Sequence, residues 1–278
     1  MRRPEFEAYL AEAKLYPELW RLALGILLIF LQTLAFSILV IAIYVGVVVA
    51  QAGPNALFEI LPAINAITRP DTPVVVVTLL ATFLGFFLAP ILAAGALHFR
   101  GPGTLFGDGA EWLRGFLVSL TVVLVIFGAF TALGATMEKP VQNLDFDTWL
   151  FWLPFALPLL FVQIGAEELV FRGYLQQQLA ARFQSRVIWM WIPSVVFALL
   201  HFSPEAGGNL PLILLSTLTF ALAAADLTER TGALGAAMGM HFGNNFLGIF
   251  IVSIGETITG LSLYVTPTDI GETGLQSI

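Results

Sequence analysis

The sequence contains no cysteine, and this absence excludes several chemistries at once. Without thiols the protein forms no disulfide bonds, has no thiolate nucleophile and offers no cysteine ligand to a metal ion. Charged residues are also scarce, at 11% of the chain against 58% hydrophobic residues, whereas soluble domains have about 25% charged residues. The formal net charge of −7 supplies no basic surface for nucleic acid. This composition is typical of a polytopic membrane protein.

Uncharged runs that are long enough to span, or nearly span, a bilayer recur along the whole sequence. There are seven of them, at residues 22–50, 74–97, 115–137, 148–166, 187–204, 210–225 and 231–255. An eighth span is an alternative, formed by residues 56–67 or by a break of the last run near Gly248 with continuation to Val265. The sequence therefore predicts an all-α fold, a transmembrane helical bundle of seven to eight spans, with residues 1–278 as a single membrane domain.

The N-terminal segment and the basic residues predict how the bundle lies in the membrane. Residues 1–21 are predicted to form an interfacial helix, with Tyr9, Leu10, Leu15 and Trp20 at the headgroup boundary. Cytoplasmic loops collect Lys and Arg, and with seven spans most basic residues fall on one side. These are Arg2, Arg3, Lys14, Arg21, Arg100, Arg114, Arg182, Arg186 and Arg230. We therefore expect an integral, multi-pass protein with a cytoplasmic N-terminus, in a bacterial inner membrane.

Three charged residues interrupt apolar sequence near the end of the fourth run, in the segment Gly-Ala-Glu-Glu-Leu-Val-Phe-Arg that ends at Arg172. Each charge costs about 2.5–3.5 kcal/mol at the centre of a membrane helix, so such residues are functional candidates by default. Glu168 and Arg172 are four residues apart and share a helix face, which predicts an ion pair. Glu167 points about 100° away from that pair and is the candidate working carboxylate.

Three more polar residues interrupt the fifth and seventh runs: His201, His241 and Asn245. A helical hairpin that turns near residue 184 places Glu167 and His201 at matching heights, about 25 Å from the turn. His241 and Asn245 are one helical turn apart and reach a similar depth. A shielded carboxylate suits a general base, a neutral histidine orients water, and paired donors bind an oxyanion. The residues suggest hydrolysis of an amide among the C-terminal four spans.

Other interpretations of these residues stay open from the sequence alone. A lone membrane histidine or asparagine often only joins helices, at about 0.6 kcal/mol. An ion-coupled transporter also needs carboxylates and histidines to relay protons, although the chain shows no related halves. A non-catalytic immunity or scaffold protein of the membrane would keep the same fold.

These residues fall into three motifs in order, Glu-Glu-x-x-x-Arg, Phe-x-x-x-His and His-x-x-x-Asn. Their positions are Glu167, Glu168 and Arg172; Phe197 and His201; and His241 and Asn245. In this order the motifs resemble those of the CPBP family, also called Abi, which includes CAAX prenyl proteases and bacteriocin-processing enzymes. The resemblance covers residues 149–250, the predicted catalytic core. It implies an intramembrane endopeptidase that cuts a peptide bond near the cytoplasmic face.

The resemblance also implies a role for each residue. Glu167 activates a water molecule with help from His201, while His241 and Asn245 stabilise the oxyanion. Glu168 and Arg172 give structural support to the site.

The expected cofactor content follows from the residues that are present. Glutamate and two histidines are zinc ligands in other proteins, but the sequence has no His-Glu-x-x-His helix and asparagine is an uncommon zinc ligand. A metal-free mechanism without cofactors is therefore favoured. The expected partners are a peptide or membrane-protein substrate and the lipid bilayer, with no nucleic acid.

Overall fold

The computed structural model describes residues 2–271, and helices dominate this range, which confirms the all-α class and the polytopic membrane character. The α-helices are α1 (Pro4–Tyr9), α2 (Leu19–Gln51), α3 (Ala56–Thr68), α4 (Pro73–His98), α5 (Gly103–Phe106), α6 (Gly109–Met137), α7 (Phe146–Glu168), α8 (Gln177–Arg182), α9 (Ile192–Leu199), α10 (Leu210–Thr231) and α11 (Gly235–Phe246).

Wider π-helical segments and short 3-10 turns extend or join several of these helices. The π-helical segments are Leu169–Gln176 between α7 and α8, Val187–Trp191 before α9, and Leu247–Ile251 after α11; the 3-10 turns are Glu12–Lys14, Gly53–Asn55 and Pro204–Asn209. The chain is therefore helical from Phe146 to Arg182. Gln176, Gln177 and Gln178 are buried in the bundle, so this end of the helical segment does not lie on the surface.

The number of long helices is smaller than the seven to eight spans predicted. Among the described residues, five helices are long and apolar enough to cross a membrane: Leu19–Gln51, Pro73–His98, Gly109–Met137, Phe146–Arg182 and Pro204–Thr231. The fifth predicted run forms only the shorter apolar helix Val187–Leu199, because α9 ends at Leu199 and the backbone at Ser203 is extended. The seventh predicted run is not one helix from its start. Helix α10 extends to Thr231 and ends at the left-handed Gly232, and α11 begins only at Gly235.

The alternatives for an eighth span are both wrong. Residues 56–67 lie in α3, whose 13 residues rise only about 20 Å. The last run leaves the helical conformation after Ile251 and forms strands, because Val252 is extended. β1 (Val141–Gln142) pairs antiparallel with β3 (Tyr264–Asp269), and β2 (Val252–Gly255) pairs parallel with β3. This small sheet ties the loop before α7 to the chain that follows α11.

The N-terminal segment packs against protein more than the sequence predicted. Of the four side chains expected at the headgroup boundary, Tyr9 and Leu10 are buried in the core, whereas Leu15 and Trp20 are exposed. The Tyr9 hydroxyl donates to the carbonyl of Leu105, and burial raises the pKa of this phenol above its ordinary value. The hydroxyl therefore stays protonated as a donor. The interfacial position of this segment remains a prediction.

Helix α11, which supplies His241 and Asn245, lies very close to α6. The closeness depends on glycine: a Cβ atom added at Gly239 would lie 2.2 Å from the backbone oxygen of Phe116. The backbones of two membrane helices approach in this way only where a small residue faces the partner. Packing between α6 and α11 therefore fixes the position of α11 and of the polar residues on it.

We expect Gly239→Ala to separate these two helices. The added methyl group is expected to destabilise the protein by about 1–3 kcal/mol, as overpacking does elsewhere, and to lower any activity that depends on His241. Thermal unfolding in detergent micelles measures the effect. Gly248→Ala is the matched control, because a Cβ atom at Gly248 meets nothing within 4 Å. Equal unfolding temperatures for the two variants would contradict this account of the packing.

Candidate active site

Two adjacent carboxylates at the end of α7 have different surroundings. The Glu168 side chain is 0% exposed and its Oε1 accepts from Nη1 of Arg172 at 3.0 Å. Arg172 also donates to the carbonyl oxygen of Ala221 at 3.1 Å and lies 4.7 Å from the ring centre of Phe197. The predicted ion pair is present and fully desolvated. It joins the helix of Glu168 to α9 and α10.

Glu167 lines a cavity, whereas helix phase predicted only that it points away from the Glu168–Arg172 pair. Its side chain is 12% exposed, and its Oε1 accepts from Nε2 of Gln163 at 2.6 Å. Within residues 2–271, its Oε2 is a buried oxygen without a hydrogen-bond partner. Such an acceptor can take a hydrogen bond from a water molecule or a substrate.

His241 stands between the two carboxylates. Its Nδ1 lies 2.7 Å from Glu168 Oε1, and its Nε2 lies 3.6 Å from Glu167 Oε2. Since a carboxylate paired with arginine only accepts hydrogen bonds, the Nδ1 of His241 carries a proton. The Nε2 atom then points toward Glu167 as a base when the ring is neutral and as a donor when it is protonated.

The structure thus gives Glu168 a second partner that the sequence interpretation missed. Glu168 holds Arg172 and also fixes the orientation and tautomer of His241.

His201 occupies the end of the short hairpin helix, just beyond α9. Its Nδ1 lies 2.9 Å from the backbone oxygen of Phe197. A carbonyl oxygen only accepts, so Nδ1 carries the proton and Nε2 of the neutral ring has a free lone pair. The Phe197 ring, 4.8 Å from that of His201, packs beside it. The Phe-x-x-x-His motif is therefore a unit that supports one histidine.

One cavity of about 570 Å³ collects all four predicted catalytic residues. Glu167, His201, His241 and Asn245 line it, together with Gln163, Phe197, Phe220, Met240 and Asn244. Glu167 and His201 lie on the two arms of the hairpin that turns between Arg182 and Val187, and both line this cavity. The remaining histidine, His98, lies elsewhere and its Nε2 is 2.9 Å from the Tyr174 hydroxyl.

Gln163 is the residue of this site that the sequence interpretation missed. It is buried, and it joins Glu167 to Asn245, whose Nδ2 donates to Gln163 Oε1 at 3.0 Å. A signal was available: Gln163 precedes Glu167 by four residues on a membrane helix and so shares its face.

Within residues 2–271, no group of three or more His, Cys, Asp or Glu side chains is arranged to hold a metal ion. Glu167 and His241 approach each other, but Glu168 engages the second nitrogen of the histidine. The donors therefore bind one another.

Part of this chain is similar to known proteins. Residues 148–247 match the Rce1-like family, described as type II CAAX prenyl endopeptidase Rce1-like. The resemblance predicted from the three motifs is confirmed over this segment, which contains every cavity residue named above and none of the strands.

A curated bacterial protein is also similar to part of this chain. An uncharacterized protein of Bacillus subtilis (strain 168), YyaK, is 30% identical over 130 residues, which are 46% of this chain and 44% of that protein. The chain thus matches less than half of the relative's length. No solved structure matches this chain.

Proposed function

We propose that the protein is an intramembrane endopeptidase that hydrolyses a peptide bond near the cytoplasmic membrane face. One observation carries the proposal: Glu167, His201, His241 and Asn245, which come from three separate helices, line one cavity in a bundle of apolar helices. The match to a family of CAAX prenyl endopeptidases supports the reaction type.

Glu167 and His201 are the groups that activate water. The free Oε2 of Glu167 accepts a proton from the water molecule, and Nε2 of His201 orients the same water through its lone pair. The water oxygen bonds to the carbonyl carbon of the scissile peptide as its proton moves to Glu167. The C–N bond then breaks, and Glu167 returns the proton to the leaving amine.

His241 and Asn245 are the donors for the tetrahedral intermediate. The protonated Nε2 of His241 and the amide of Asn245 supply N–H groups to the negative oxygen that forms when the carbonyl is attacked. Glu168 holds His241 in this orientation, and Arg172 balances the charge of Glu168. Support of this kind keeps the donors in place before the charge develops, and the mechanism requires no metal ion or cofactor.

Part of the cavity lining is exposed at the surface of the bundle. Met240 and Asn244 of α11 line the cavity together with Ser216, Thr219 and Ala223 of α10, and these last three residues are exposed. The exposed residues favour entry of a substrate from the bilayer. A peptide or a membrane protein is therefore the proposed partner, and nucleic acid is not.

The contacts of the basic residues support a cytoplasmic N-terminus. Arg21 donates to the carbonyl oxygen of Leu97 at 2.6 Å, and Arg182 donates to that of Glu18 at 2.9 Å. Arg186 pairs with Glu229. The basic ends of several helices thus meet at one end of the bundle, which the positive-inside rule assigns to the cytoplasm. A bacterial inner membrane remains part of the proposal.

The test is cleavage by purified protein in detergent, with a panel of lipid-anchored and unmodified peptides analysed by mass spectrometry. We expect the wild-type protein to cleave at least one peptide and His201→Ala to reduce kcat about 100-fold or more, the usual size of a general acid–base contribution. Incubation with a chelator, with metal analysis of the active protein, tests the metal-free mechanism. Folded wild-type protein that cleaves no peptide would favour a transporter or a scaffold protein.

A further inference from the structure

A chain of three amide side chains runs through the cavity and ends on Glu167. Nδ2 of Asn244 donates to Oδ1 of Asn245 at 3.0 Å, and Nδ2 of Asn245 donates to Oε1 of Gln163 at 3.0 Å. Nε2 of Gln163 then donates to Oε1 of Glu167 at 2.6 Å. Each amide donates a hydrogen bond from its NH₂ group to the next acceptor, so all three hydrogen bonds run toward Glu167.

The carboxylate fixes that direction. An ionised glutamate only accepts hydrogen bonds, so Gln163 must present its NH₂ group to Glu167 and its oxygen to Asn245. Asn245 must then present its NH₂ group to Gln163 and its oxygen to Asn244. If Gln163 were turned over, its oxygen would face an oxygen of Glu167, and its NH₂ group would face the NH₂ group of Asn245.

Two consequences for the reaction follow from this arrangement. The Gln163 amide engages Oε1 of Glu167, and therefore Oε2, which has no partner within the described residues, is the oxygen that remains for water. The same amide holds the NH₂ group of Asn245 in the cavity, with its second hydrogen free for an oxyanion. Gln163 thus connects the proposed base to a proposed oxyanion donor.

We propose that Gln163 is a positioning residue that sets Glu167 and Asn245 in register for the reaction, with Asn244 fixing the far end of the chain. The inference rests on the proposed function. Gln163 acts only through its neighbours. Four other charged or titratable side chains lie near Glu167: His201, which lines the same cavity, His241 and Glu168, which are bonded to each other, and Arg172, which pairs with Glu168.

The experiment replaces Gln163 by methionine, which has a similar volume and shape but makes none of these hydrogen bonds. We expect kcat to fall about 10- to 100-fold, the size of a hydrogen bond to a charged group, while KM and the unfolding temperature stay within about twofold and about 2 °C of the wild-type values. A residue that only fills space would leave kcat unchanged in this variant. In the Glu167→Gln background the substitution is expected to have little further effect, because the two residues act as a unit.

Gln32→Met is the matched control. Gln32 is a partly buried glutamine of α2, and its amide donates to the backbone oxygen of Gly85 at 3.3 Å, away from the cavity. We expect this variant to retain wild-type kcat. An equal loss of kcat in both variants would overturn the inference, and so would a Gln163→Met kcat within twofold of the wild-type value.

A second measurement does not depend on cleavage. Dicyclohexylcarbodiimide modifies protonated carboxyl groups in apolar surroundings, and mass spectrometry follows its addition to Glu167. Without the Gln163 donor, the ionised carboxylate loses a hydrogen bond, so we expect labelling of Glu167 to become several-fold faster in Gln163→Met than in wild-type protein or Gln32→Met. Equal labelling rates would overturn the inference even if the wild-type protein cleaves peptides. Faster labelling in protein that cleaves no peptide would support the positioning role and contradict the proposed reaction.

Discussion

Replacing Glu167 by glutamine is expected to reduce kcat at least about 1,000-fold without unfolding the protein. General base catalysis contributes about 100- to 10,000-fold, and Glu167 is the only carboxylate among the residues that line the cavity as described. Glutamine has the same shape but no basic oxygen. Rates of peptide cleavage in detergent, together with the elution volume and unfolding temperature, measure the two parts of this prediction.

Two further variants define the effect at this position. Glu167→Asp keeps the charge and withdraws it by one methylene, and a displacement of about 1 Å is expected to reduce kcat about 100-fold. Glu111→Gln is the control, because Glu111 is 49% exposed and its ion pair with Arg114 is long, at 3.7 Å. A Glu167→Gln protein that cleaves at more than a tenth of the wild-type rate would refute the proposed mechanism.

Replacing Glu168 by alanine is expected to damage stability first and activity as a result. The Glu168 and Arg172 side chains are 0% and 2% exposed, and removal of one partner from a buried ion pair costs about 3–5 kcal/mol because the other charge is left unpaired. His241 would also lose the acceptor of its Nδ1. We expect the unfolding temperature in detergent to fall by at least about 6 °C.

A double variant separates the two roles of Glu168. In Glu168→Gln with Arg172→Met no charge is left unpaired, so stability is expected to recover to within about 1–2 kcal/mol of the wild-type value. Activity is expected to stay low, because glutamine accepts the Nδ1–H of His241 more weakly than the Glu168 carboxylate does. Recovery of activity along with stability would show that Glu168 supports only the fold. A single Glu168→Ala variant as stable as the wild type would contradict the role of the ion pair.

The sequence predicted most of the candidate site because each part of it depends on local spacing. The Glu168–Arg172 pair follows from four-residue spacing on a helix, and the outward direction of Glu167 follows from its neighbouring position. The matching heights of Glu167 and His201 follow from one hairpin whose turn is marked by two arginines. These are relations between residues that are close in sequence or related by one turn.

The sequence did not predict contacts that depend on how separate helices are rotated against each other. The hydrogen bond from His241 to Glu168 joins residues 73 positions apart, and the Asn245–Gln163 bond joins residues 82 apart. Hydropathy likewise shows where apolar residues lie but not where the helical conformation ends. It therefore predicts membrane spans at the fifth and seventh runs, which do not form full-length helices. Burial of Tyr9 and Leu10 was missed for a similar reason, since an apolar face packs on protein as readily as on lipid.

By itself, the sequence determined that this protein is a bundle of membrane helices with an ion pair and a separate carboxylate at depth. It determined this because charge in hydrocarbon is costly and helix geometry is periodic. Only the tertiary structure decided which carboxylate holds His241, that Gln163 belongs to the site, and that the last apolar run ends in strands. These features depend on packing between distant segments. Gly239 at one contact and the hydrogen bonds at others select one arrangement of the helices, and hydropathy does not distinguish it from the alternatives.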